Sequence, residues 1–249
     1  MQGLDYRNKR EQEHFNNLVL HHGETWWGNT TPAGIRRLQR KAKLFTQELR
    51  QFQEAAVLEV GCGVGTFTKF ILDETPALKL MGCDLSPEAI CKTRECFQEF
   101  KNLHLGVADV SHLPYRDSTF DAIIGNSILH HLPLKVSLQE CFRVLKNQGI
   151  VLFSEPNMMN PQIAIEKNIH IIGKLLQNTK YETAFFRWPL TKTLKEIGFR
   201  DIVVQPFDFL HPLIPSFLID VFDYLGRLIE RTPIVKEISG SLLIKAVKS

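Results

Sequence analysis

The chain is predicted to fold as an α/β domain, with a mostly parallel sheet covered by helices on both faces. Two observations predict it. From residue 55 onward, short apolar strand-forming runs alternate with helix-compatible stretches, the pattern of parallel strands joined by crossover helices. The first of those runs, residues 55–60, passes straight into Gly61-Cys62-Gly63-Val64-Gly65-Thr66. Apolar β-formers, three glycines at alternating positions and then a helical run read as buried strand, tight turn and helix start.

Residues 1–54 read as a helical arm outside that pattern. It holds an amphipathic helix near residues 10–20, a stop at His21-His22-Gly23, then Trp26-Trp27 among turn formers, and a basic helix at 35–45. The paired indoles suit either packing of the arm onto the domain or a lid whose aromatic walls exclude water from a site. The cations of the basic helix read as a solvated face, with nucleic acid or anionic lipid as the sharper alternatives.

The second strand, residues 79–84, ends in Asp84, and Ser86 and Pro87 then open a helix running to about residue 100. An acid at that place can take the ribose hydroxyls of a nucleoside. A third strand at 103–107 leads to Asp109-Val110. The fourth, 120–126, ends at Asn126 and runs into Leu129-His130-His131-Leu132. The next helix is expected over about 135–146 with Gly149 as its stop, before a fifth strand at 150–155. Residues 157–188 form an insertion of helices carrying Ile163, Ile165, Ile169, Ile171 and Ile172. A helix at 190–197, stopped by Gly198, precedes a sixth strand at 199–205, and the last strand spans 240–247. Within the second insertion, 207–232, a helix at 216–230 confines Asp220, Asp223, Arg227 and Glu230 to one narrow stripe. A helix apolar over the rest of its circumference is expected to be buried on more than one side. The partner would be the first insertion. A homodimer contact, an apolar-substrate tunnel and a membrane surface are the alternatives.

The glycine turn constrains the ligand. The third glycine comes one residue too early for a dinucleotide turn, and Glu59 lies two residues before Gly61. A carboxylate there repels a diphosphate and suits a cation. S-adenosylmethionine (SAM) carries an ammonium and a sulfonium and no phosphate. The series Glu59-x-Gly61-x-Gly63-x-Gly65, then Asp84, then Asp109, then Leu129-His130-His131-Leu132 resembles the class I SAM-dependent methyltransferases, and most closely their small-molecule branch (type 11). The resemblance is strong over residues 55–155 and looser over 190–249. No proline lies between Gly125 and Leu132, which departs from the tetrapeptide of base-methylating branches.

The resemblance implies a Rossmann-like seven-stranded sheet whose last strand is antiparallel, SAM as cofactor with S-adenosylhomocysteine as product, and no metal. It places Glu59, Gly61, Cys62, Gly63 and Gly65 beside the methionine moiety. Asp84 would take the ribose, Leu85 flank the adenine, Asp109 and the Val110 amide read the adenine edge, and Asn126 lie near the methionine end. The acceptor would be a small molecule with an apolar portion. His130 and His131 are candidate general bases from their position, or packing residues at a helix entry. His21, Trp26 and Trp27 are candidates on the acceptor side. A non-catalytic SAM-binding subunit and a nicotinamide or flavin oxidoreductase are the rival classes; Glu59 opposes the latter.

Composition narrows the setting. A net charge of +3 over 249 residues does not imply nucleic-acid binding. Five cysteines without a Cys-x-x-Cys pair suit a reducing cytoplasm better than a disulfide framework or structural zinc. The polar first ten residues show no secretory signal, and no apolar run reaches the roughly 18 residues of a membrane span.

Overall fold

The computed structural model describes residues 2–22, 28–52, 54–169 and 182–249. Its helices are α1 (Gln2–His22), α2 (Pro32–Leu49), α3 (Thr66–Glu74), α4 (Pro87–Cys96), α5 (Leu134–Val144), α6 (Pro161–Asn168), α7 (Arg187–Ile197) and α8 (Ile219–Ile229). The strands are β1 (Ala56–Val60), β2 (Lys79–Asp84), β3 (Leu103–Val107), β4 (Phe120–Asn126), β5 (Leu145–Pro156), β6 (Phe199–Phe207) and β7 (Ser241–Lys248). They form one seven-stranded sheet in the order β3-β2-β1-β4-β5-β7-β6. β1 to β5 pair in parallel, while β7 runs antiparallel to both β5 and β6. The chain winds outward from β1 in one direction and from β4 in the other, so a crevice opens between their carboxyl ends, where such sheets bind ligands.

Alternate strand residues serve two cores. Leu58, Val60, Ile123 and Phe153 face α5 and α7. Val57, Ala122, Ile124 and Leu152 face α2 and α3. Helix α2, which the sequence groups with the arm, therefore covers the sheet: Leu38, Ala42, Phe45 and Leu49 are buried there, and the Phe45 ring meets Phe67 of α3 edge-on. Full burial of each large apolar side chain contributes about 1.5–3 kcal/mol.

Several boundaries differ from expectation. Helix α4 ends at Cys96, and Phe97 and Phe100 pack ring against ring in the turn beyond it. Helix α5 ends at Val144, because Leu145 already pairs with Phe120 as the first residue of β5. Gly149 is therefore no helix stop. Gln148 takes the positive φ of 62°, and Gly149 is needed because a Cβ would lie 2.8 Å from the Lys146 carbonyl and 2.9 Å from that of Asp121. Gly198, at φ 117°, does end α7. Of the first insertion, α6 is described; Ile171 and Ile172 lie outside the described residues.

The second insertion reverses expectation. The polar stripe of α8, not its apolar side, faces the protein. Arg36 meets Asp220 at 2.8 Å, Arg37 meets Asp208 at 2.7 Å, and Arg40 grips both Glu230 oxygens at 2.7 and 2.5 Å. Asp223 is buried and bonded to Arg227. The basic helix is thus a set of ion-pair partners rather than a solvated face. Arg36 and Arg40 of α2 hold Asp220 and the Glu230 cap of α8, Arg37 holds Asp208 beside them, and Phe217 (82% exposed), Val221, Tyr224 and Leu225 turn outward. The burial expected for that apolar surface is not formed among the described residues.

Candidate active site

The turn after β1 is shaped by its glycines. Gly61, Gly63 and Gly65 all have positive φ, at 70°, 55° and 86°, where other residues are strained. A Cβ on Gly65 would lie 2.6 Å from the Phe97 ring, so α4 closes one side of the turn. Nothing lies within 4 Å of a Cβ built on Gly63, which leaves backbone open to a ligand.

Beneath and beside the turn sit two carboxylates. Glu59 is 1% exposed and accepts the Thr68 hydroxyl of α3 at 2.8 Å. Burial pushes its pKa up to about 7 against that hydrogen bond. Asp84 ends β2 and ties the turn to the next helix: Oδ2 accepts the Gly63 amide and Oδ1 the Ser86 amide, each at 2.9 Å. Burial raises its pKa, while those amides pull it down. Cys62 is buried with its thiol pushed well above its ordinary value by burial and the neighbouring Asp84 and Glu59; it is no thiolate.

The remaining expected positions are placed as follows. The Leu85 carbonyl accepts Gln12 Nε2 of α1 at 2.9 Å. Asp109 accepts the backbone amide and the hydroxyl of Ser111, which orders the turn after β3. The Val110 side chain is buried in the core. Asn126 Oδ1, at the end of β4, accepts Lys41 Nζ at 3.3 Å.

Past β4 the chain turns sharply at Ser127, φ 57°, into a short 3-10 turn, Leu129–His131. His130 Nδ1 lies 2.6 Å from Glu155 Oε2, and both groups are buried. The other oxygen, Oε1, accepts the Ile128 and Leu129 amides at 2.9 and 2.8 Å. Burial lowers the His130 pKa well below the ordinary imidazole value, with His131 adding to the effect. Burial raises Glu155 to about 7 against the pull of the two amides. With Nδ1 hydrogen-bonded to a carboxylate, the base-competent atom is Nε2.

The two histidines are not equivalent. The ring centroids lie 4.0 Å apart with the planes tilted by 42°. His131 has Nδ1 3.6 Å from Glu11 of α1 and meets the Phe15 ring edge-on, and its carbonyl accepts Arg7. His131 therefore docks α1, while His130 faces the interior. Glu182 lies 3.9 Å from His130 Nε2 and is ion-paired to Lys167. Donor atoms of His130, His131 and Glu182 fall within 4.8 Å of one another, but the Lys167 ammonium already occupies the Glu182 carboxylate that would ligate a metal. His21 is exposed and bonds the Asn17 carbonyl of its own helix, so it is not brought to this cluster. Trp26 and Trp27 lie outside the described residues.

Sequence reasoning passed over Glu155, Lys41, Glu11 and Glu182. Only Glu155 had a signal, as an acid ending a strand next to β4. The other three owe their places to helix packing.

Residues 58–153 match the methyltransferase domain family. The chain is 26% identical over 172 residues to a malonyl-[acyl-carrier protein] O-methyltransferase of Geobacter sulfurreducens, covering 67% of this chain and 64% of that protein. It is 35% identical over 104 residues to a tRNA (carboxymethyluridine(34)-5-O)-methyltransferase of Arabidopsis thaliana, covering 40% of this chain and 24% of that one. The chain thus spans less than two thirds of these relatives. A SAM-dependent methyltransferase of Thermotoga maritima, described as a possible histamine N-methyltransferase, superposes over 96% of this chain and 99% of its own with a TM-score of 0.67 at 16% identity. The fold, the glycine turn and the family match agree: residues 58–153 form a class I SAM-dependent methyltransferase domain on a Rossmann-like sheet.

Proposed function

We propose that the chain moves a methyl group from SAM to a small-molecule acceptor with an apolar portion, using His130 as general base and Glu155 as the residue that positions it. The carrying observation is the 2.6 Å contact between these buried groups at the carboxyl edge of the sheet. The residues present suit the cofactor: open space beside Gly63, a half-buried acid at the end of β2, and a buried acid under the turn. Gly61, Cys62, Gly63 and Gly65 would give the ligand close backbone approach, with Asp84 at the ribose, Leu85, Asp109 and Val110 around the adenine, and Asn126 at the methionine end.

When bound, SAM supplies an electrophilic methyl group on a sulfonium. The chain supplies orientation and proton handling. Ile128 and Leu129 amides fix Glu155; Glu155 fixes the His130 ring; Nε2 takes the acceptor's proton, and the carboxylate stabilises the imidazolium that results. Holding the acceptor in line contributes most, as effective molarity is worth about 7–11 kcal/mol. Helix α1 acts as the lid, because Gln12 bonds the Leu85 side of the crevice and Arg7 the His131 side. The five cysteines are all free and no helix among the described residues is long and apolar enough to cross a membrane; both support a cytoplasmic setting.

Incubating the protein with methyl-labelled SAM and an extract of the source cells, then separating organic, aqueous and RNA fractions, tests the acceptor class. Label in the organic phase is the expected result. Label in RNA, as the name of the Arabidopsis relative suggests for that protein, overturns the small-molecule reading, and no label in any fraction overturns the transferase reading.

The outward face of α8 and its flanks is assigned to a second copy of the chain. Asp223 and Glu230 are largely buried and Asp220, though exposed, is paired with Arg36, so each carboxylate of the helix has its own arginine and two copies would meet there without unpaired opposed carboxylates. Sedimentation should show a dimer that Phe217→Ser with Leu225→Ser dissociates. A monomeric wild type sinks the assignment, and binding of the wild type to lipid vesicles would give the face to a membrane.

A further inference from the structure

Lys41 is the least accounted-for charge in the molecule. It lies on α2 with 7% of its surface exposed. Its bond to Asn126 Oδ1 is long, 3.3 Å, and an ammonium offers three donors. No carboxylate among the described residues lies within ion-pair distance of it. The two carboxylates near enough to act on it are already taken, Asp208 by Arg37 at 2.7 Å and Glu155 by His130 and the Ile128 and Leu129 amides. Burying an unpaired ammonium is costly, and burial together with Arg37 lowers Lys41 to about 8. The environment calls for an anion that this chain does not provide.

Its place in the sheet indicates which anion. Asn126 ends β4, and β4 neighbours β1 across the point where the strand order reverses. Glu59 pairs in register with Ile124, two residues before Asn126 on the neighbouring strand. Glu59 and Asn126 project to the same face, that of α2 and α3, as their contacts with Thr68 and Lys41 show. His130 and Glu155 belong to the other side of the strand ends, since Glu155 alternates with Phe153 on the α5 and α7 face. One buried carboxylate and one buried ammonium thus flank the β1–β4 seam on the α2 and α3 face, with the His130–Glu155 pair bonded to each other on the opposite face. That is the charge complement of an amino-acid zwitterion.

We propose that Lys41, presented through Asn126, binds the carboxylate of the methionine end of SAM, with Glu59 on the ammonium side of the same zwitterion. The proposal rests on the SAM-dependent reading above and adds to it a residue on α2, outside the segment that matches the family.

Calorimetric binding of SAM and of decarboxylated SAM, which differs only in lacking the carboxylate, provides the test. Wild type should bind SAM about 10–100-fold more tightly than the decarboxylated analogue, the range of a buried charge-assisted contact. In Lys41→Met that preference should shrink to less than about 3-fold, with the affinity for the analogue close to wild type. Retained analogue binding also shows that the variant is folded. Lys41→Arg keeps a cation and should retain most of the preference, which covers the case in which methionine is not tolerated. A preference that survives in Lys41→Met overturns the proposal, as does a wild type that binds both ligands equally. In those cases methyl transfer itself stands, whereas failure of the wild type to bind either ligand removes the cofactor assignment as well.

Discussion

His130→Ala should lower kcat by about 10²–10⁴-fold, the usual contribution of a positioned general base, while SAM affinity stays within about twofold of wild type. The ring is held by Glu155 on the α5 and α7 side of the strand ends and makes no hydrogen bond to the glycine turn among the described residues, so its loss removes proton handling and leaves cofactor contacts alone. Glu155→Gln keeps the shape but gives up the charge that orients Nδ1–H and stabilises the imidazolium, and it should lose kcat in the same direction by a smaller factor. The pH profile carries the sign. The bond between Nδ1 and Oε2 already holds one proton, so the next proton added to the pair goes to Nε2 and removes the base. Burial and His131 hold that uptake well below the ordinary imidazole value. Hence kcat/KM should stay level from pH 8 down through the ordinary imidazole range and fall only on its acid side, by about tenfold per pH unit once Nε2 is protonated. An unchanged kcat in His130→Ala, or a kcat/KM that already drops between pH 8 and 7, would remove the base assignment. His131→Ala is the useful contrast, since His131 docks α1 and its loss should act on KM more than on kcat.

Arg37→Ala should be the most damaging single change in the ion-pair set that holds the second insertion. It strips the partner from Asp208, whose side chain is 2% exposed and, among the described residues, otherwise accepts only the Leu210 amide at 3.3 Å. Removing one member of a buried pair leaves an uncompensated charge, which costs about 3–5 kcal/mol. Arg37 itself is 21% exposed, so the lower end applies, about 3 kcal/mol, or a drop in Tm of about 6–12 °C for a chain of this size. Arg36→Ala breaks a pair of the same length, yet Asp220 is 87% exposed and the expected change is under about 1 kcal/mol. Urea unfolding of the two variants decides the matter: equal losses would mean burial does not set the worth of these pairs. Asp208→Asn placed in the Arg37→Ala background should recover part of the loss by removing the stranded charge.

The core of the fold was legible because its signals are local. A strand of apolar residues, a turn that needs positive φ, and a helix cap each act within a few residues, and Gly61 to Thr66 and Ser86-Pro87 show them directly. Asp84 could be placed at the end of β2 for the same reason. By contrast, Gly149 was misread as a helix stop because its need for a missing Cβ comes from the Asp121 carbonyl on the neighbouring strand, a contact that no local pattern encodes.

What the sequence determined by itself is the sheet, the place of its ligand crevice and the class of cofactor, since strand periodicity, turn chemistry and strand-end acids are properties of short segments. Only the tertiary structure decided which histidine is buried against a carboxylate, that Lys41 stands at the strand-order reversal, and which way α8 faces. His130 meets Glu155 across 25 residues, Lys41 meets Asn126 across 85, and Arg40 meets Glu230 across 190. The last of these shows the physical reason most plainly. An amphipathic pattern states that a helix has two faces, but the partly buried Arg40, gripping Glu230, and Arg36, meeting Asp220, determine which face of α8 turns toward α2.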